Sequence, residues 1–243
     1  MRMMTFAKRC AKEILRDPIN LGFGLGFPLV LLLLLSAMQA NIPVSLFEIH
    51  TLTPGITVFG LSFMTLFSAT LIAKDRESAF LQRLYTTPLT GFDFILGYML
   101  PILPIALGQT IVCYLFAILL GLNFNVNVIY AVIGIIPMAI FNIALGLLCG
   151  SVFCVKQVGG ICGALLTNLS AWLSGVWFDL KLVGGFFEKL ANVLPFVHAA
   201  EMEKALFKGE FELIFSHLLI ILIYSIAVTG IAVICFLGQR KKQ

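Results

Sequence analysis

Lys74, Asp75, Arg76, Glu77 and Arg83 place five charged side chains within AKDRESAFLQRLYTTPLTG, residues 73–91, in a chain that elsewhere runs for dozens of residues without one. Of 243 residues, 60% are hydrophobic and 12% charged, where soluble domains are roughly 45–50% apolar. Burying such charges at membrane depth costs about 2.5–3.5 kcal/mol each, so this segment is expected in water or among headgroups. At about 100° per residue, Phe80, Leu81, Leu84 and Tyr85 share one apolar stripe of a short helix, with Asp75, Arg76, Gln82 and Arg83 pointing elsewhere. Glu77 falls inside that stripe, where a carboxylate needs a basic or N–H partner, from the N-terminal helix or from another protein. The chemistry is that of a docking surface; the plain alternative is a short charged connector.

Other chemistry finds little support. His50, His198 and His217 are far apart in sequence, and neither H-E-x-x-H nor G-x-S-x-G occurs. The six cysteines show no metal-like pairing and read as small apolar packing residues. There is no G-x-x-x-x-G-K-[ST], the loop whose N–H groups and lysine hold nucleotide phosphates, so ATP hydrolysis is not expected of this chain. A membrane enzyme is therefore disfavoured. An ion-coupled secondary transporter is the stronger alternative, but it needs an ionisable group at membrane depth, and the interiors of the expected spans hold none. His217 is expected at an interface.

These residues must be positioned by helices. A span needs about 20 apolar residues, and six are expected: Leu21–Ala40, Thr51–Ala73, two within the uncharged run Phe94–Val155 divided by GLNFNVN at Gly121–Asn127, then Gly159–Phe178 and Leu213–Leu237. Thr90 and Asp93 have the spacing of a capping box at the start of the third span. The fold class is thus an all-α integral membrane protein, one domain over residues 1–243. Arg2, Lys8, Arg9, Lys12, Arg16, Lys74, Arg76, Arg83, Lys156, Arg240, Lys241 and Lys242 fall on one side of these spans. The loop 179–212 on the other side has four lysines against six carboxylates. Both termini are therefore expected in the cytoplasm, and the net charge of +4 reflects topology and not nucleic-acid binding. Residues 1–18 place Phe6, Cys10 and Ile14 on one helical face with basic residues around it, up to Pro18. Such a helix lies on anionic lipid or docks a cytoplasmic partner.

Glu77, Leu81, Arg83 and Leu84 with TTPLTGFDFILGY, after the second span, resemble the signature of type-2 ABC exporter permeases. LSGVWFDLKLVGGFFEKLANVLPFVHAAE, residues 173–201, is similar to that family's end of the fifth span, its short extracellular helices and its run to the last span. The chain departs in having Asp179 and Gly184-Gly185 where the family often has proline. The resemblance covers nearly the whole chain. It implies a coupling helix in the loop 74–92, with Glu77, Phe80, Leu81, Arg83 and Leu84 contacting a cytoplasmic ATPase, and re-entrant extracellular helices in 179–212. It further implies a complex of two ATPase subunits, which carry ATP and Mg, with two permeases, the second a copy or a related chain. The setting would be a bacterial or archaeal cell membrane and the direction export. Phe59, Phe63, Phe67, Asn142, Asn168, Ser170 and Trp172 would give an apolar, sparsely polar path for a drug, peptide antibiotic or lipid-like compound. The plain alternative is that these are packing or lipid-facing residues.

Overall fold

The computed structural model describes residues 2–41, 47–78, 90–178 and 180–240. Their helices are α1 (Arg2–Leu15), α2 (Pro18–Gln39), α3 (Ile49–Gly60), α4 (Ser62–Glu77), α5 (Gly91–Leu119), α6 (Asn127–Gly134) and α7 (Ile136–Val152). Next come α8 (Val155–Val158), a π-helical stretch (Gly159–Leu166), α9 (Thr167–Leu173), α10 (Leu180–Val183), α11 (Gly185–Val193), α12 (Pro195–Lys208), a 3-10 turn (Phe211–Leu213) and α13 (Ile214–Arg240). No strand occurs among the described residues. The all-α membrane fold read from composition is the observed one.

Among the described residues five stretches are long and apolar enough to cross a membrane: Pro18–Gln39, Ile49–Glu77, Gly91–Leu119, Asn127–Val152 and Phe211–Gly238. The fifth expected span, Gly159–Phe178, starts earlier and stops earlier: the chain is helical from Val155 to Leu173, with a π-wound middle. Gly175, at φ +69°, turns the chain away just after; that left-handed conformation is open to glycine at little steric cost.

Local sequence sets the helix ends. Pro18 is the first residue of α2, behind an Asp17 cap that accepts from the Asn20 N–H at 3.3 Å. Thr90 and Asp93 form the expected box: Asp93 N–H donates to Thr90 Oγ1 at 3.2 Å, and Thr90 N–H donates to Asp93 Oδ2 at 3.0 Å.

At the centre α4 crosses α7 with almost no side chain between them. A Cβ on Gly146 would stand 2.2 Å from the Thr65 carbonyl oxygen, and one on Gly150 would stand 2.4 Å from that of Ala69. Thr65 Oγ1 donates to Asn142 O at 3.0 Å and Ser68 Oγ to Ile143 O at 3.1 Å. Small residues four apart let two backbones touch in lipid, where hydroxyl groups add interhelical bonds.

α1 is expected on lipid or on a partner; its apolar face is instead covered by this chain. Phe6, Cys10 and Ile14 are buried. Phe6 stands edge-on to Tyr98 at 4.9 Å, in a notch that a Cβ on Gly97 would close to 2.3 Å. The protein supplies a shaped apolar surface, which a mobile bilayer does not. Burial also pushes the Cys10 thiol up to about 12, against the pull of Arg9, in keeping with a packing role.

Candidate coupling site at the foot of α4

α4 does not stop at Ala73, as its apolar run suggests, but continues to Glu77, where Ser78 turns extended at φ −94°, ψ 155°. That extra turn carries Lys74, Asp75, Arg76 and Glu77 on a helix already locked against α7. The continuous helix corrects two expectations. Asp75 is 1% exposed and not in water. Arg9 of α1 grips it with two hydrogen bonds, and Tyr98 of α5 donates to its Oδ2 at 2.9 Å. A fork of charge-assisted bonds offsets the desolvation that would otherwise expel the carboxylate. Glu77, for its part, is the last residue of α4, continuous with the second span, and is followed by an extended Ser78; the stripe expected of Phe80, Leu81, Leu84 and Tyr85 lies outside the described residues.

Arg76 and Glu77 act on the turn between α7 and α8. Arg76 Nη1 donates to the carbonyls of Gly150, at 3.0 Å, and of Ser151. These are last-turn carbonyls of α7, without onward helical partners. Glu77 Oε1 accepts from the Val155 N–H at 2.8 Å, the first residue of α8. A cation thus sits on a helix C-terminus and an anion on the next N-terminus, each favourable by about 0.3–1 kcal/mol where exposed. Cys154 N–H donates to Gln157 Oε1 at 3.1 Å and completes the turn. The partner expected for Glu77 from the N-terminal helix or another protein is instead a backbone N–H of this chain at the start of α8.

Phe80, Leu81, Arg83 and Leu84 lie outside the described residues. The helices on either side of that segment both reach α1 or its neighbours: Asp75 of α4 meets Tyr98, and Phe94 of α5 meets Phe6 at 5.7 Å. The C-terminal half of α13 is there too, with Phe236 5.5 Å from Phe94.

The residues assembled from sequence as a substrate path fall in two groups. Phe59, Phe63, Phe67 and Asn142 are packed inside the chain. Phe59 and Phe63 meet Phe27 of α2 at 6.2 and 5.8 Å, Phe67 fills the space beside Gly24, and Asn142 Oδ1 accepts from Thr65 at 3.1 Å. Asn168 and Trp172 instead face outward on α9, with Trp172 48% exposed, while Ser170 is buried. The two groups do not form one lining in a single copy of the chain.

On the opposite face, α12 packs against α3, α6 and α13 and hides a carboxyl that charge counting had assigned to a loop. Glu203 is completely buried; Tyr114 Oη donates to its Oε2 at 3.2 Å, while Oε1 has no hydrogen-bond partner among the described residues. Burial holds this carboxyl well above the usual range, against the Tyr114 bond, which lowers it. The signal was present: Phe196, Ala199, Ala200, Glu203 and Phe207 share one helical face. Nearby, an open cavity of about 570 Å³ is bounded by Thr51, Trp177, Glu188, Asn192, Glu201 and Lys204.

Residues 1–208 match the ABC-2 type transporter family. The chain belongs to that family. As an ABC-2 chain it is the transmembrane component of an ABC transporter, in keeping with its helices. A search of curated proteins found no match.

Proposed function

We propose that this ABC-2 chain is the permease subunit of an ATP-driven exporter, coupled to a separate cytoplasmic ATPase, with two permeases and two ATPase subunits per complex. The termini and the α4 foot face the cytoplasm, and the segment 79–89 docks in the ATPase through Phe80, Leu81, Arg83 and Leu84. The observation that carries this reading is the double contact of Arg76 and Glu77 with the ends of α7 and α8. A push on the segment after Ser78 is delivered by those two side chains to the turn joining two membrane helices. Cargo is amphipathic, a drug, peptide antibiotic or lipid-like compound, which the aromatic and charged lining of the opposite-face cavity suits. Asn168 and Trp172 are the path residues left accessible in a single copy.

The test is Glu77→Lys in cells carrying the partner ATPase. Glu77 is exposed, and reversing its charge at a helix N-terminus costs about 1–2 kcal/mol locally, too little to prevent insertion. Membrane abundance stays near wild type, ATPase co-purification falls, and protection against amphipathic toxins is lost. Wild-type protection at normal abundance would refute the mechanism.

Ion-coupled transport keeps one observation in its favour, the buried Glu203 carboxyl. The two readings separate on energy source: vanadate abolishes ATP-driven export and an uncoupler leaves it running, and the reverse holds for a proton-coupled carrier.

A further inference from the structure

His198 of α12 and His217 of α13 come together although 19 residues separate them, with their Nδ1 atoms 2.9 Å apart. His198 Nε2 stands 2.8 Å from the carbonyl oxygen of Asn192, at the end of α11. A carbonyl only accepts, so Nε2 carries the hydrogen and the Nδ1 of neutral His198 presents a lone pair. A ring fixed through its far nitrogen to a backbone carbonyl is the usual second shell of a metal-bound histidine. The rings are tilted by 39° with centroids 5.2 Å apart, and both are half-buried.

We propose that His198 and His217 form a two-imidazole site for a divalent transition-metal ion, which ties the α12 helix to the head of α13. With metal–nitrogen bonds near 2.05 Å, two cis ligands at a right angle are about 2.9 Å apart and two tetrahedral ligands about 3.4 Å. The observed separation matches the right-angle pair of tetragonal or octahedral coordination, which among ions favoured by imidazole points to Ni(II) or Cu(II). His217 enters as the tautomer with hydrogen on Nε2, and the rings turn from their mutual hydrogen-bond contact so that both Nδ1 lone pairs face the ion. Among the described residues no three His, Cys, Asp or Glu side chains converge on a metal position, so water completes the shell. Glu201 lies one turn along α12 from His198, held by Lys204 at 2.8 Å, and adds negative potential nearby.

The experiment uses the full chain, without a polyhistidine tag, in lipid nanodiscs. Calorimetric titration with Ni²⁺ gives one ion per chain for wild type and for His50→Gln, a histidine outside the pair. His198→Gln and His217→Gln each weaken binding roughly tenfold or more, and Ni²⁺ raises the melting temperature of wild type but not of either variant. Cu²⁺ added to wild type gives a paramagnetic resonance spectrum with two coupled nitrogens, a readout that needs no variant to fold. Absence of Ni²⁺ binding to wild type, equal binding by His198→Gln/His217→Gln, or a Cu²⁺ spectrum without two nitrogens would show that the pair is a hydrogen bond only.

Discussion

Arg9 holds Asp75 through two hydrogen bonds of 2.5 and 2.6 Å, and this fork fixes α1 to the foot of α4. It lies one residue from Arg76 and two from Glu77, so the N-terminal helix braces the same turn that those residues extend to α7 and α8. Glu13 shares the Arg9 guanidinium at 2.6 Å, and Lys74 stands 3.6 Å from Asp17. Charges at this end of the bundle are thus organised across α1, α4 and the start of α2.

Breaking the fork from one side is costly. Arg9→Ala leaves Asp75 buried without its cation, for which the general penalty is about 3–5 kcal/mol; Arg9 is itself 33% exposed, so water recovers part of that. A loss of about 2–3 kcal/mol is expected, read as a lower melting temperature of the purified protein. Replacing both partners, as Arg9→Met with Asp75→Leu, recovers most of it. If the double variant melts no higher than Arg9→Ala, the fork is not the source of the loss.

The α4–α7 crossing predicts a sharp contrast between glycines. Gly150→Ala drives a Cβ to 2.4 Å from the Ala69 carbonyl, and a backbone oxygen cannot swing aside as a side chain can. The helices must part, at about 1–3 kcal/mol or more. Gly159→Ala meets nothing within 4 Å and is neutral or slightly stabilising. Equal melting temperatures for the two variants would mean the crossing is looser than described.

The features legible in the sequence were those written locally. Apolar runs marked the spans, Pro18 marked the stop of the N-terminal helix, and Thr90-x-x-Asp93 marked the start of α5. What was not legible depended on contacts between distant elements. Asp75 looked solvated because Arg9 is 66 residues away, and Glu77 looked like part of a new helix because nothing nearby names Val155 as its partner. The early end of the fifth expected span, at Leu173 of α9, follows from a glycine at positive φ and not from polarity, so hydropathy extended it to Phe178.

Orientation is tested by labelling. With the termini in the cytoplasm, Lys208 at the end of α12 faces outward and Lys156 in α8 faces inward; both side chains are exposed. On a background without the six native cysteines, an impermeant thiol reagent applied to intact cells modifies Lys208→Cys and spares Lys156→Cys until the membrane is opened. The opposite pattern inverts the topology, and with it the side on which the ATPase docks.

Glu203 predicts a pH dependence with a definite sign. Its folded-state carboxyl is raised by burial, whereas in the unfolded chain it titrates near the ordinary glutamate value of 4.5. Below that value both states hold the proton, and its full contribution to stability is present. As pH rises from there towards the folded value, the unfolded state releases its proton while the native state keeps it, so stability falls. Glu203→Gln is always neutral and retains the Tyr114 hydrogen bond at the same place, so it removes this loss. The melting temperature of Glu203→Gln relative to wild type is therefore expected to rise between pH 5 and pH 8. Tyr114→Phe takes away the one bond that favours the ionised form, and so shifts the carboxyl further up and extends the fall in stability to higher pH. A difference between wild type and Glu203→Gln that stays flat across that range would mean that water reaches the carboxyl and that α12 does not seal it against α5.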